Sequence, residues 1–312
     1  MKPQTDRRDF LKQVGVASAG AWLATGTGTS AVGAPRIGSN KKRSLLFLTK
    51  SSGYQHGVVK RDGDKLSHAE RVLTELGQQN NFEVNCTKDA RIFSSGDIDR
   101  YDTFVFYTTG DLTTKGGQDN SPAMTPEGER NLYDLVRGGK GFVGSHCASD
   151  TFHTPGEALE NQKTPSTFVA MLGGEFFSHH AEQVARMTVA DPGFPGVEKL
   201  GDGFDLHEEW YSLKNFAPDM HVILRQETYG MEGPNYMRPA FPATWARMHG
   251  KGRVFYTSMG HREDVWTNPA FQSILLGGLT WAAGNVQADV SPNLAPLGID
   301  PTSVPVKQGR RG

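Results

Sequence analysis

The chain has 312 residues, with 33 basic and 34 acidic side chains and a formal net charge of −1. That balance leaves no basic footprint for nucleic acid and no acidic, solvating tail, while the length allows one large or two small domains. Two cysteines, Cys86 and Cys147, exclude a disulfide framework; each follows a different predicted strand, where buried free thiols are the simpler expectation.

Residues 1–34 read as an export signal outside the fold. Arg7-Arg8-Asp9-Phe10-Leu11-Lys12 opens a mildly apolar, alanine- and glycine-rich stretch. Small residues follow, with a cleavage site near Ala31-Val32-Gly33-Ala34. This is the pattern of a twin-arginine signal. The apolar part is too short and too polar for a good membrane span, so no stable span is expected. A retained anchor is the alternative to cleavage. The Tat translocase is then the partner during export, and the destination is periplasmic or extracellular. Residues 35–42 form a linker.

Ser44-Leu45-Leu46-Phe47-Leu48-Thr49 is a continuous apolar run, as a buried parallel strand requires. Its exit loop carries Tyr54 and His56. Leu66, Ala69, Val72, Leu73 and Leu76 recur at helical spacing within 63–80. Phe82-Glu83-Val84 starts a second strand. Thr103-Phe104-Val105-Phe106-Tyr107 is a third, running out to Asp111. Thr125-Pro126 starts a helix that ends near Gly138-Gly139. Gly141-Phe142-Val143-Gly144-Ser145 is a fourth strand and stops on His146. Repeated β-α-β-α predicts an α/β fold with a doubly wound, mostly parallel sheet over 43–284.

The second half is less regular. Gln183–Val189 alternates like an edge strand, and Phe204–Tyr211 alternates with acids and a histidine set into it. Val222-Ile223-Leu224 and Thr244–Arg247 read as a β-meander insertion. Gly252–Ser258 is another buried strand and leads to His261. A helix spans roughly 268–283. Residues 285–312, rich in proline and glycine, form an irregular tail without a core pattern.

The polar groups of interest follow strands: His56, Asp111, His146 and His261. The carboxyl ends of parallel strands converge on one rim, where ligands bind. His146 is the sharpest of them, as metal ligand, general base or neutral hydrogen-bonding group. His153 lies on the loop beyond. His179 and His180 are adjacent and, in a strand, point to opposite faces, so at most one of them serves the site; His180 is preferred. In His207-Glu208-Glu209-Trp210-Tyr211, an extended chain puts His207, Glu209 and Tyr211 on one face and Glu208 on the other. Burying two neighbouring acids requires a cation or hydrogen bonds. Gly260-His261-Arg262 reads as a loop before a helix. The histidine set suits zinc first among divalent metals, although no compact ligand motif such as H-E-x-x-H occurs. No nucleotide cofactor is expected.

The turn Gly144-Ser145-His146-Cys147-Ala148 resembles the strand-to-helix elbow of class I glutamine amidotransferase-like folds. There a cysteine occupies the apex; here His146 does, and Cys147 is displaced by one residue. Amidotransferase chemistry is therefore rejected. Residues from about 43 to 283 resemble the ThuA-like (trehalose utilisation) family. The matching pieces are Gly53-Tyr54-Gln55-His56, Gly141–His146 with Asp150-Thr151-Phe152, Glu208-Glu209-Trp210-Tyr211, and Gly252–Thr257 with Gly260-His261-Arg262. The resemblance implies a role in sugar catabolism, acting on oxidised (keto) glycosides by hydrolysis, elimination or isomerisation. On this reading His146, Glu208, Glu209 and Tyr211 are catalytic, and His56, His146 and His261 hold a divalent metal. Tyr54, Asp111, His153, His180, Trp210 and Arg262 contact the carbohydrate, with Tyr54 and Trp210 stacking on a pyranose face. The alternative is a non-catalytic sugar-binding or scaffold protein on the same fold.

Overall fold

A computed structural model describes residues 41–305. The expected signal (1–34), most of the linker and the last residues of the tail lie outside the described residues. The strands are β1 (Arg43–Leu48), β2 (Phe82–Thr87), β3 (Thr103–Phe106), β4 (Gly141–Ser145), β5 (Glu175–His179), β6 (Gln183–Val189), β7 (Gly203–Glu208), β8 (Tyr211–Lys214), β9 (His221–Gln226), β10 (Phe241–His249) and β11 (Gly252–Thr257). The α-helices are α1 (His68–Gln79), α2 (Pro126–Gly138), α3 (Thr167–Leu172), α4 (Glu263–Trp266) and α5 (Pro269–Ala282).

Nine strands form one sheet in the order β2-β1-β3-β4-β11-β10-β9-β6-β7. The first five are parallel, the arrangement expected of a doubly wound flavodoxin-like sheet. The remaining four continue it antiparallel, and β9, β10 and β11 pair in chain order as the expected β-meander, built into the large sheet. β5 and β8 make a second, two-stranded sheet. Burial explains the split. Leu45, Leu46, Phe47 and Leu48 are all at most 1% exposed, as a strand covered on both faces demands. β7, at the sheet edge, alternates between partly buried and exposed residues.

The helices start where their caps permit. Ser67 and Glu70 form a reciprocal capping box, so α1 begins at His68 and not at 63. Thr125 caps α2 ahead of Pro126. α5 is buried nearly all round; a Cβ on Gly277 would stand 1.8 Å from the Pro195 carbonyl, so only glycine lets the chain pass there. None of the described helices is long and apolar enough to cross a membrane.

Two sequence expectations need correction. Residues 204–211 are not one strand: β7 ends at Glu208, Glu209 and Trp210 break the ladder, and β8 joins the other sheet. The tail is irregular as expected, yet Leu294 and Ile299 enter the core. It is also fastened: Arg238 donates to the Leu213 carbonyl at 2.6 Å and to that of Ser303.

Candidate functional site

Three strand exits and one broken strand meet at the carboxyl edge of the parallel sheet. The loop after β1 is tied to the exit of β3, because Ser52 and Gly53 donate their N–H groups to the Thr109 carbonyl at 3.0 and 3.1 Å. It ends on His56, only 3% exposed. β4 runs directly into His146, which is fully buried and has φ 45°, in the left-handed region. That backbone is unfavourable for a side chain. Its carbonyl is pinned by the Tyr256 hydroxyl at 2.8 Å and the Ser149 hydroxyl at 3.1 Å. β11 exits through Gly260 to His261. Glu209 arrives from the break between β7 and β8.

The rings of His56, His146 and His261 form a near-equilateral triangle, with centroids 5.1, 5.2 and 5.3 Å apart. One ligand atom from each of these histidines and from Glu209 lies within 4.8 Å of all the others. Glu209 Oε2 stands 3.5 Å from His146 Nε2 and 3.2 Å from His261 Nδ1. His56 Nδ1 is buried without any hydrogen-bond partner, and His146 Nε2 and His261 Nδ1 are buried facing only the Glu209 carboxylate, without a well-aligned hydrogen bond to it. A buried nitrogen left without a hydrogen bond costs about 1–3 kcal/mol. Three such nitrogens beside one carboxylate fit a divalent cation with nitrogen and oxygen preference, zinc first.

The far side of each of these four side chains is held. His146 Nδ1 donates to the Ser258 carbonyl at 2.9 Å. His56 Nε2 meets the Tyr211 hydroxyl at 3.3 Å. Glu182 Oε1 lies 3.3 Å from His261 Nε2, and His179 Nδ1 lies 3.2 Å from Glu209 Oε1. Such partners set ring orientation and tautomer in metal sites.

The electrostatics favour neutral imidazoles at His56 and His146 and an ionised carboxylate at Glu209, whereas His261 is raised. Burial, reinforced by His146 and His261, drives His56 down to about 2. Burial also lowers His146. Burial alone would oppose ionisation of Glu209, but His146 and His261 outweigh it and hold the carboxyl well below its usual range. For His261 the order reverses: burial lowers it, yet Glu209, Glu208 and Glu182 together raise it.

The other predicted site residues divide. Tyr54 is 61% exposed and packs edge-on against His56 at 5.0 Å, so it remains at the mouth. Arg262 is partly buried and pairs with Glu182 and Asp264 beside a cleft of about 430 Å³ that includes His261. Tyr211 keeps its place, but its hydroxyl faces His56, with its ring 4.0 Å from that of His146. Glu208 is separated from the cluster by its own bonding: it accepts N–H groups of Glu209 at 2.9 Å, Gly260 at 2.9 Å and His261 at 3.2 Å. Burial pushes it up to about 7. Its part is to hold the β11 exit.

Trp210 is not a sugar platform. It is fully buried, with Nε1 donating to the Gln183 carbonyl at 2.9 Å. His180 packs against Gly233 while its neighbour His179 turns to Glu209. Asp111 is exposed and caps its own turn through Thr113 N–H at 2.8 Å. His153 is clamped between Asp150 at 2.6 Å and Glu175 at 2.9 Å. His207 is exposed, because the strand ends before the face it shares with Glu209 in an extended chain. Of the pair weighed in sequence it is His179, not the preferred His180, that reaches the cluster, while Glu182 and Ser258 are not among the residues singled out from sequence. His-His-Ala-Glu between two strands was the available signal for Glu182; a carbonyl partner such as Ser258 leaves none. Cys147 is 1% exposed and burial raises its thiol well above the ordinary value, so no thiolate stands at the elbow.

Comparison with solved structures shows the same fold. A protein from Parabacteroides merdae described as ThuA-like superposes with a TM-score of 0.55 at 19% identity, covering 80% of this chain and 93% of its own. A ThuA-like protein from Bacteroides uniformis gives 0.54 at 18% identity, covering 84% and 100%. No curated protein matches the chain significantly. The profile of the ThuA family, described as trehalose utilisation, matches residues 45–282, and the chain belongs to that family.

Proposed function

We propose that this protein is an exported, divalent-metal-dependent enzyme of carbohydrate catabolism that acts on keto-sugar glycosides by hydrolysis, elimination or isomerisation. One observation carries the reading: His56, His146, His261 and Glu209 bring one ligand atom each within 4.8 Å of the others at the carboxyl edge of a parallel sheet, and each histidine keeps a buried nitrogen that makes no well-aligned hydrogen bond. A purely structural cluster would satisfy those nitrogens with well-aligned hydrogen bonds. His56, His146, His261 and Glu209 would hold the cation, which supplies Lewis acidity next to a sugar carbonyl.

The chain's own groups do the rest. Tyr54 offers an exposed ring on which a pyranose face stacks. Arg262, beside the cleft, donates to sugar oxygens. Burial keeps the Tyr211 hydroxyl protonated, so it serves as a partner of His56 and not as a base. The arginine pair Arg7-Arg8 supports twin-arginine export to the periplasm or beyond, with the Tat translocase as a transient partner.

The test combines metal analysis with turnover. Purified protein is expected to carry about one zinc-class ion per chain and to transform keto-glycosides in a chelator-sensitive way, and His146→Ala loses both. Metal-free protein with chelator-insensitive turnover would remove the metal from the reading. Sugar binding without turnover in wild type and variant alike would reassign the protein as a binding module.

A further inference from the structure

Two of the four ligands are held from outside by a single short stretch of chain. His179 ends β5 and stands opposite Tyr211 across the β5–β8 ladder, which sets it beside Glu209. Its Nδ1 lies 3.2 Å from Glu209 Oε1 and 3.0 Å from the His180 carbonyl. Two oxygen acceptors around one ring nitrogen place a proton there. The other oxygen of the same carboxylate is thereby left for His146 and His261. Three residues on, Glu182 puts Oε1 3.3 Å from His261 Nε2, opposite the nitrogen that faces Glu209. Arg262 grips the second Glu182 oxygen and is itself held by Asp264 at 2.9 Å.

This stretch lies at the surface, yet it is anchored from behind. Asn235 donates to the His179 carbonyl at 2.6 Å, and the Tyr236 hydroxyl accepts the His180 N–H at 3.2 Å. Gln183 accepts the Glu232 N–H at 2.7 Å and takes the Trp210 indole N–H on its carbonyl at 2.9 Å. The buried Trp210 is thus a support of the turn. The turn also links the two sheets, since β5 belongs to the small one and β6 to the large one.

We propose that residues 179–182 are a clip that sets how tightly the site retains its cation. His179 commits Glu209 to ligation through one oxygen. Glu182 fixes the ring orientation of His261 and keeps the proton on Nε2, leaving the Nδ1 lone pair inward. Both are positioning residues. The inference rests on the metal reading above and adds to it the part of the site open to tuning. The partners of His56 and His146 are a buried tyrosine and a backbone carbonyl, whereas the side chains of the clip are 45% and 35% exposed and can be replaced without opening the core.

The experiment measures Zn²⁺ and Co²⁺ dissociation constants by chelator competition, together with the visible spectrum of the Co²⁺ form. Wild type is compared with Glu182→Gln, His179→Ala and His179→Asn, with urea midpoints as the fold control. Loss of such an outer partner weakens metal binding about 10- to 100-fold. That loss is expected for Glu182→Gln and His179→Ala, with displaced Co²⁺ bands. His179→Asn, which keeps an N–H donor for Glu209, recovers most of the affinity. Wild-type affinity and an unchanged Co²⁺ spectrum in both Glu182→Gln and His179→Ala overturn the clip alone. A wild-type protein that takes up neither ion overturns the metal reading and the clip together. Glu182→Gln is isosteric and surface-placed, so it decides the matter even where His179→Ala is poorly folded.

Discussion

The Tyr211 hydroxyl lies 3.3 Å from His56 Nε2, and this contact decides which edge of the imidazole meets the cluster. With the tyrosine oxygen accepting the Nε2 proton, the lone pair sits on Nδ1, the nitrogen that is buried and unpartnered. Tyr211→Phe removes the contact and keeps the ring packing against His146 and Phe176, at 4.0 and 4.1 Å. Zinc affinity should fall about tenfold. Urea unfolding of the metal-free form should change by no more than about 1 kcal/mol. An unchanged affinity would detach Tyr211 from the site.

The elbow at His146 predicts an inverted glycine effect. Its φ of 45° costs a side chain about 1 kcal/mol, and glycine pays nothing there. His146→Gly and His146→Ala should both lose the metal, but the glycine variant should unfold at higher urea. Equal or reversed midpoints would show that the hydrogen bonds to the His146 carbonyl no longer hold that backbone once the ring is gone.

Cysteine chemistry should be silent. Burial raises the Cys147 thiol well above its ordinary value and takes Cys86 up to about 11. Native protein treated with iodoacetamide at neutral pH should show neither cysteine modified on the timescale that labels both in urea, as read by mass spectrometry. Turnover should survive the treatment. Fast labelling of Cys147 with parallel loss of turnover would restore a nucleophilic cysteine.

His153 gives the chain a pH signature away from the cluster. Asp150 and Glu175 raise it to about 9 from an ordinary value of 6.5. A raised folded-state value stabilises the fold fully below pH 6.5, and the benefit is lost as pH climbs through 9. The side chain is 43% exposed, so solvent screening keeps the effect small. Urea midpoints of wild type should decline over that window, and those of His153→Gln should decline less. Parallel pH profiles would show that the clamp is not charged in the fold.

The parallel half of the fold and three of the four cluster residues were legible because one rule covers them. A buried apolar run that ends on a polar residue delivers it to the sheet's carboxyl edge, as at His56, His146 and His261. The rule stops where a strand changes sheets. Alternation continues unbroken from Phe204 to Tyr211 in sequence, but the ladder breaks at Glu209 and Trp210. His207 therefore stays outside while Glu209 turns in. Trp210 looked like a platform because an aromatic beside acids suits a sugar; its indole N–H found a carbonyl in the interior instead. The choice between His179 and His180 depended on the β5–β8 register, and neither strand of that pair stood out in sequence.

The broken strand has a consequence for how the centre comes into being. His56, His146, Glu209 and His261 arrive on four separate segments, and His56 and its partner Tyr211 are 155 residues apart in the chain. The four side chains are far apart in sequence, so an unfolded chain offers an ion no comparable set. Binding to the folded state alone adds about 2.7 kcal/mol when the free ion is at a hundred times its dissociation constant. On the proposed metal reading, uptake of the ion would report on completed folding, because Glu209 joins the three histidines only once β7 and β8 are in place.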